Sequence, residues 1–343
     1  MSSSYICYIA GKSGGHILPA LTHAQRFLKN NPYHKLIFFS TRSALDIQLL
    51  TTSSSVDDHR PLPIQEVPHR QYWRYPFFAV CLALSFCISL WTLLRYRPEK
   101  IVSMGGVVSV PVCLAAWLLW IPIEMYELNV EPGAAVKLLS KLATTTYICF
   151  EDTRQLLSSN VRCMHAPYPL RYTGRDKLNK HDARKRLGLS VDKEVICIVG
   201  GSQGSSFFNN FMKNHAAANI DSAKYAIIHQ TGNHHADVKR VYNQYGIESL
   251  VFKYRPDMHV CLSAADIVVT RGGAGVLFEL LFFGKSAIVV PLEISSTAHQ
   301  LYNARAIVRK SPHRFKLFRQ RELEAHPASV YNALLYFHKQ HQS

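Results

Sequence analysis

Twice along this chain, short runs rich in Ile, Val, Tyr and Phe alternate with segments of helix length, and that rhythm restricts the fold more than any other feature. Tyr5–Gly11, Leu36–Thr41, Lys100–Gly106, Ile121–Leu128 and Thr145–Phe150 read as buried strands, and Ile64–Val67 is expected as a further strand ahead of Lys100. Glu194–Gly201, Tyr225–Gly232, Leu250–Tyr254, Asp266–Gly273 and Ser286–Leu292 repeat the pattern. Strands linked by helical crossovers run parallel, with helices on both faces of the sheet. The polar stretch Arg171–Lys193, which carries eight Lys and Arg residues, separates the two series. The expected fold class is therefore α/β: two doubly wound, Rossmann-like domains that join near residues 165–193 and face a central cleft. In open parallel sheets ligands bind beyond the carboxyl ends of the strands, so the chemistry belongs in the loops that follow them.

The length of 343 residues suits two domains. With 48% hydrophobic and 18% charged residues, the chain is excluded from the disordered, collagen-like and disulfide-scaffold classes. Its eight cysteines form no C-x-x-C pair, and most lie in apolar runs such as Tyr5–Ile9 and Val195–Val199. They read as buried free thiols of a reducing compartment. Met-Ser-Ser-Ser passes straight into a strand, so no secretory signal is expected. The net charge of +16 favours polyanions, phosphorylated ligands or anionic lipid headgroups as partners. Nucleic acid is not expected among them, because no zinc finger, helix-turn-helix or aromatic–basic sheet motif accompanies the charge.

Three strand-to-helix loops are rich in glycine. The first is Gly11-Lys-Ser-Gly-Gly-His16, ahead of a helix opened by Pro19; the second is Gly200-Gly-Ser-Gln-Gly204; the third is Thr270-Arg-Gly-Gly-Ala-Gly275. Glycine lets the backbone approach a ligand closely, and the free N–H groups at a helix start favour anionic oxygen. None fits G-x-G-x-x-G or G-x-x-x-x-G-K-[ST], so neither a dinucleotide fingerprint nor a nucleoside triphosphate loop is indicated. Two such loops in the second series suggest a nucleotide diphosphate across helix starts. Glu279, about a turn into the third helix, reads either as an acceptor for a ribose diol or as a helix-dipole charge. His299, Gln300 and Asn303 place imidazole and amide groups at the start of a later helix.

In this order the motifs resemble the bacterial peptidoglycan glycosyltransferase family that adds N-acetylglucosamine to a lipid-linked muramoyl-pentapeptide, a member of the GT-B class. The resemblance rests on Gly11–Pro19, Ser103-Met-Gly-Gly-Val-Val-Ser109, Tyr126-Glu-Leu-Asn129 with Pro132-Gly133, Val199–Gly204, Arg271-Gly-Gly-Ala274 with Glu279, and His299-Gln300-x-x-Asn303-Ala304. It covers nearly the whole chain. It implies an inverting transfer from UDP-N-acetylglucosamine to undecaprenyl-diphosphate-linked muramoyl-pentapeptide, with no metal or other cofactor. His16 falls at the position of the family's proposed catalytic base, and an imidazole with a pKa of about 6.5 suits proton removal at neutral pH. Ser13, Gly14, Gly15 and Asn129 fall at sugar-donor contacts and Arg171 at a basic one. Ser202 and Gln203 fall at the diphosphate, Ala274, Gly275 and Glu279 at the uridine and ribose, and His299 and Gln300 at the sugar. The resemblance also gives the halves their roles: residues 1–165 as an acceptor- and membrane-binding domain, residues 166–325 as the UDP-sugar-binding domain, and a last helix, 326–343, that packs back on the first. The chain departs from the pattern at Val107, Tyr126, Val276, Phe278 and Ala298, positions that bear on acceptor placement and donor contacts. A nucleotide-sugar-binding protein without catalysis, or a GT-B transferase with another acceptor, is the alternative reading.

Eighteen uncharged residues, Phe77–Leu94, lie between Arg70 and Arg74 on one side and Arg95 and Arg97 on the other. The segment approaches the length of a spanning helix but occupies the crossover between two strands of one sheet, which favours an interfacial helix. Ser85, Ser89 and Thr92 give it one mildly polar stripe. Trp73, Phe77, Phe78 and Trp91 are the expected contacts with an anionic membrane surface, and the expected location is peripheral, on the cytoplasmic face of the inner membrane.

Overall fold

The computed structural model describes residues 4–11, 14–65, 67–68, 71–201, 204–294 and 298–342. The chain divides into two compact units, Met1–Arg171 and Tyr172–Ser343. The division falls six residues beyond the expected 165.

The first unit is a seven-stranded sheet made of β1 (Ser4–Ile9), β2 (His34–Thr41), β3 (Asp58–Leu62), β4 (Ile101–Ser103), β5 (Ile123–Glu127), β6 (Thr145–Ile148) and β7 (Cys163–His165). Every pair is parallel and the order is β3-β2-β1-β4-β5-β6-β7. Helices α1 (Gly14–Asn30), α2 (Ala44–Thr51), α3 (Tyr75–Tyr96), α4 (Ser109–Leu118) and α5 (Ala134–Leu139) connect them. The strand expected at Ile64–Val67 is instead Asp58–Leu62. As an edge strand, with Pro61 opposite Ser40, it needs neither a full set of ladder donors nor an apolar sequence.

The second unit is a six-stranded parallel sheet of β8 (Glu194–Val199), β9 (Tyr225–Gln230), β10 (Ser249–Phe252), β11 (Ile267–Thr270), β12 (Ser286–Val289) and β13 (Phe315–Leu317), in the order β10-β9-β8-β11-β12-β13. Its helices are α6 (Lys180–Arg186), α7 (Ser206–Phe211), α8 (His235–Gln244), α9 (Met258–Ala264), α10 (Ala274–Phe283), α11 (His299–Lys310), α12 (Gln320–Ala325) and α13 (Ala328–Gln342). The last helix does not belong to the first domain's core as expected. Val330, Ala333, Leu334 and Phe337 recur at i, i+3, i+4 and i+7 and join Ile196, Ile198 and Tyr225 in the core of the second unit. His338 adds a 2.7 Å contact from its Nδ1 to Glu194 Oε1.

Both strand orders reverse direction in the middle, between β1 and β4 in one sheet and between β8 and β11 in the other. At such a switch point the flanking connections leave toward opposite faces, and a crevice opens beyond the strand ends. The glycine loops follow the strands that border these two points: Gly11 and Gly105-Gly106 in the first unit, Gly200–Gly204 and Gly272-Gly273 in the second.

Helix α3 is packed with its polar side inward. Ser85, Ser89 and Thr92 are fully buried along with Cys81 and Leu93, while Phe77, Val80, Leu84, Trp91 and Leu94 are half exposed or more. Ser89 Oγ donates to Ser85 O at 2.7 Å and Thr92 Oγ1 to Ile88 O at 2.8 Å, so two of the three inward hydroxyls are satisfied within the helix, while the Ser85 hydroxyl is buried without a hydrogen-bond partner among the described residues. Phe78 is half-buried against the core cluster and is not part of the exposed face. The end of α4, which packs on α3, adds exposed Trp117, Leu118 and Trp120. Six of the eight cysteines are buried free thiols; Cys87 is exposed and Cys163 half-buried.

Candidate active site

Gly11 ends β1 in a buried position where a Cβ would stand 2.9 Å from Thr41 Cγ2 and 3.1 Å from Asp46 Oδ2. Only glycine fits there, and the chain then enters α1 with Gly14, Gly15 and His16 in its first turn. His16 is half-buried. Across the switch point, Gly105 and Gly106 both have left-handed backbones (φ +82° and +81°), and a Cβ on Gly106 would lie 3.9 Å from Gly11 O. Ser109 Oγ donates to Gly105 O at 2.7 Å and lies 2.6 Å from Ser103 Oγ, fixing this second turn. Val107 packs against the core cluster, a use for an aliphatic side chain at that position.

Asn129 follows β5 and is held by the buried carboxylate of Glu127. That carboxylate accepts the backbone N–H of Asn129 at 2.9 Å, its Nδ2 at 3.3 Å and the N–H of Gly133 at 3.0 Å. Burial pushes the Glu127 carboxyl up to about 7 against the pull of these donors. Tyr126 turns to the α1 side of the sheet, where its hydroxyl lies 2.9 Å from His23 Nε2 and the Tyr8 hydroxyl 2.6 Å from His23 Nδ1. Burial, with Lys100 and Arg26 nearby, holds His23 down at about 4, a neutral ring bonded on both sides. Arg171 is exposed at the end of the unit.

In the second unit Gly201 and Gly204 have φ of +96° and +75°, and a Cβ on Gly204 would lie 2.5 Å from the Thr231 backbone. Ser205 then caps α7, its Oγ accepting from Phe208 N at 3.4 Å. The same oxygen accepts from Arg271 Nη2 at 2.8 Å. Arg271 Nη1 donates to Val290 O at 3.2 Å and to Gln320 Oε1 at 3.4 Å, and the guanidinium carbon lies 4.7 Å from the Phe208 ring centre. Burial lowers the Arg271 pKa to about 10.

Helix α10 starts at Gly273 with Ala274 buried and Gly275, Val276, Phe278 and Glu279 half-buried. Gln300, in the first turn of α11 after the half-buried His299, spends its Oε1 on two backbone amides, Gly272 N at 3.2 Å and Leu292 N at 3.0 Å. Asn303 Nδ2 donates to Gly272 O at 3.3 Å. The third glycine loop is thus clamped to the start of α11. Among the described residues, no group of three or more His, Cys, Asp or Glu could hold a metal ion.

Residues 6–148 match the glycosyltransferase family 28 N-terminal domain, and residues 195–339 match the glycosyltransferase family 28 C-terminal domain. The UDP-N-acetylglucosamine–N-acetylmuramyl-(pentapeptide) pyrophosphoryl-undecaprenol N-acetylglucosamine transferase of Protochlamydia amoebophila is 30% identical over 86% of this chain and 78% of its own length. The chain belongs to glycosyltransferase family 28. The crystal structure of Acinetobacter baumannii MurG shares its fold, with a TM-score of 0.76, 21% identity and coverage of 98% of this chain and 92% of that one. The UDP-GlcNAc 2-epimerase of Neisseria meningitidis, solved with UDP-GlcNAc, also shares it, at a TM-score of 0.60 and 13% identity, covering 97% and 93%. An epimerase on the same architecture means that fold alone does not select the reaction.

For a family 28 transferase the expected site residues fall into two groups. Gly14, Gly15, His16 and Asn129 follow strands of the first sheet, while Ala274, Gly275, Glu279, His299 and Gln300 follow β11 and β12 of the second. Ser13, Ser202 and Gln203 lie outside the described residues. Ala298 immediately precedes α11. Sequence reasoning quoted Arg271 and Glu127 only as motif letters and passed over Ser205 and His23. The signal for Arg271 was a single charge set between a largely apolar strand and a glycine pair.

Proposed function

We propose that the protein is an inverting glycosyltransferase that moves N-acetylglucosamine from UDP-N-acetylglucosamine to muramoyl-pentapeptide carried on undecaprenyl diphosphate. The observation that carries this reading is the match of both family 28 domains, in order, along a chain whose glycine turns flank both switch points. The acceptor hydroxyl attacks the anomeric carbon; a C–O bond forms as the bond to UDP breaks, UDP leaves with the electron pair, and the hydroxyl proton passes to His16. Negative charge grows on the leaving diphosphate. In this reading it meets Ser202, Gln203 and the loop amides around them, the N-terminal end of α10 and Arg171, without a metal. Ala274, Gly275 and Glu279 take the uridine and ribose. Ser13, Gly14, Gly15 and Asn129, the last oriented by Glu127, take the sugar with His299 and Gln300. Because the Gln300 Oε1 is committed to two amides, its Nε2 is the group left to donate to a sugar hydroxyl.

A lipid-linked acceptor calls for contact with a bilayer surface. The outward face of α3, with Trp73, Phe77 and Trp91 beside Trp117 and Trp120, supports peripheral attachment on the cytoplasmic side of the cell membrane, and exposed Arg74, Arg95 and Arg97 suit anionic headgroups. The segment Tyr72–Tyr96 is long and apolar enough to cross a membrane. Its buried stripe and its place as the crossover from β3 to β4 favour the surface instead. UDP release measured with UDP-N-acetylglucosamine and a short-chain form of the lipid acceptor tests the whole reading. Turnover dependent on that acceptor is expected, and UDP binding without turnover at any acceptor concentration would overturn it.

A further inference from the structure

Among the described residues, four of the six buried or half-buried guanidinium groups have carboxylate partners. Arg184, 6% exposed, pairs with Asp266; Arg60 pairs with Asp58, Arg255 with Asp257 and Arg319 with Glu293. Half-buried Arg314 donates instead to two backbone carbonyls, Leu280 O at 3.3 Å and Lys285 O at 3.0 Å, and the more deeply buried Arg271 also has no carboxylate beside it. It is 8% exposed, and the groups facing it among the described residues are all uncharged: Ser205, Phe207 and Phe208 at the start of α7, the Val290 carbonyl after β12, and Gln320 on α12. The acid linked to it by hydrogen bonds, Glu324, is exposed and is reached only through the Gln320 amide at 3.4 Å. A buried cation without a counter-charge is destabilising, and a neutral side chain could fill the same space without that cost.

The position of Arg271 supplies a reason for bearing it. It follows β11 directly at the switch point, and its Nη2 holds Ser205, the residue that closes the Gly200–Gly204 loop. With both acceptor sites of Ser205 Oγ taken, by Arg271 and by Phe208 N, the hydroxyl can enter a further hydrogen bond only as a donor. That is the polarity an anion requires. We propose that Arg271 is a positioning residue whose missing counter-charge is the diphosphate of the bound nucleotide: it fixes Ser205 as a donor and holds a positive charge behind the glycine loop. This rests on the donor reading above and extends it to a residue that need not touch the ligand. The same geometry predicts discrimination by charge, since uridine alone brings nothing to neutralise Arg271.

Calorimetric binding of uridine, UMP and UDP to the full chain tests the proposal through Arg271→Met and Arg271→Lys. For Arg271→Met, UDP affinity should fall at least about tenfold while uridine affinity changes less than about threefold, with UMP between them. In Arg271→Lys a buried ammonium without an acid partner has a lowered pKa, so UDP binding at pH 8 to 9 should draw a proton from solvent, read as a buffer-dependent enthalpy. Wild type should show no such uptake. Equal losses for uridine and UDP, with no proton uptake by the lysine variant, would make Arg271 a structural latch and overturn the proposal. If Arg271→Met does not fold, the lysine variant carries the decision alone. Failure of the wild type to bind UDP at all would instead remove the donor reading, whatever the variants do.

Discussion

The two sheets have the same device, glycine turns flanking a switch point, but they furnish it with opposite chemistry. Beyond β1 and β5 the first unit places groups that accept: the His16 imidazole and the Glu127 carboxylate, which gathers the N–H groups of Asn129 and Gly133. Beyond β8 and β11 the second unit places groups that donate: the Arg271 guanidinium, the Ser205 hydroxyl it orients, and the amides at the start of α10. In the proposed reading, topology supplies a place to bind and the side chains decide whether that place takes up a proton or an anion. The glycine clamps differ in kind as well. Around Gly11 a Cβ would meet the Thr41 and Asp46 side chains and the Thr41 backbone at 2.9 to 3.1 Å, whereas at Gly204 it would meet only backbone, of Thr231 and Gly232, at 2.5 to 2.6 Å, which leaves the second loop less room to adjust.

That contrast is sharpest in a crossed pair of variants. His16→Ala should lower turnover by about 10²- to 10⁴-fold while UDP affinity stays within about twofold. Glu279→Ala should do the reverse, weakening UDP by about 10- to 100-fold, the scale of lost hydrogen bonds to a charged group, with a smaller effect on turnover at saturating donor. A His16→Ala enzyme with unchanged turnover would remove that residue as the base and with it the acceptor chemistry assigned to the first unit.

A smaller effect belongs to the surface. The apolar outer face of α3 lies in the first unit, so vesicle attachment should too. Phe77→Ser with Trp91→Ser should reduce flotation with vesicles containing anionic lipid by about tenfold or more, given roughly 1.5 to 3 kcal/mol for each buried large side chain. Equal flotation of variant and wild type would count against the interfacial helix.

The mildest prediction concerns what the units share. Each holds a neutral histidine against tyrosine: half-buried His23, held at about 4, and buried His229, held at about 3 with its Nδ1 2.8 Å from the Tyr242 hydroxyl. Both folded values lie below the ordinary 6.5, so the unfolded chain binds more protons at acid pH. The stability these rings contribute is complete above about 6.5 and declines as pH falls toward 4 and 3, by about 1.4 kcal/mol per pH unit for each ring. Denaturant melts between pH 7 and 4 should show that slope, and His229→Asn should remove its share. A slope unchanged in that variant would show that acid stability is set elsewhere.

Central strands were legible in the sequence because burial on both faces demands continuous Val, Ile and Tyr, as in β8 and β9. Edges were not. β3 (DHRPL), β7 (CMH) and β13 (FKL) carry too few apolar residues to stand out, and β3 was expected at Ile64–Val67. Glycine loops were legible for a related reason, since Gly11 and Gly204 sit where no Cβ fits. Their supports were not, because Arg271, Ser205 and Gln320 come from three separate stretches of chain and meet only once β8, β11 and β12 lie side by side. Tyr126 likewise shows its use only beside His23, 103 positions away in the chain.

By itself the sequence determined two parallel α/β sheets, the glycine turns after their strands, and an excess of basic charge waiting for an anion. These follow from local rules: period, backbone freedom and composition. Tertiary structure decided which side of an almost wholly apolar helix faces out, and it chose to bury Ser85, Ser89 and Thr92 and expose Phe77 and Trp91. It also decided that Arg271 is buried with uncharged partners and, among the described residues, no carboxylate beside it. Both depend on what else is packed nearby, which no local stretch of sequence specifies.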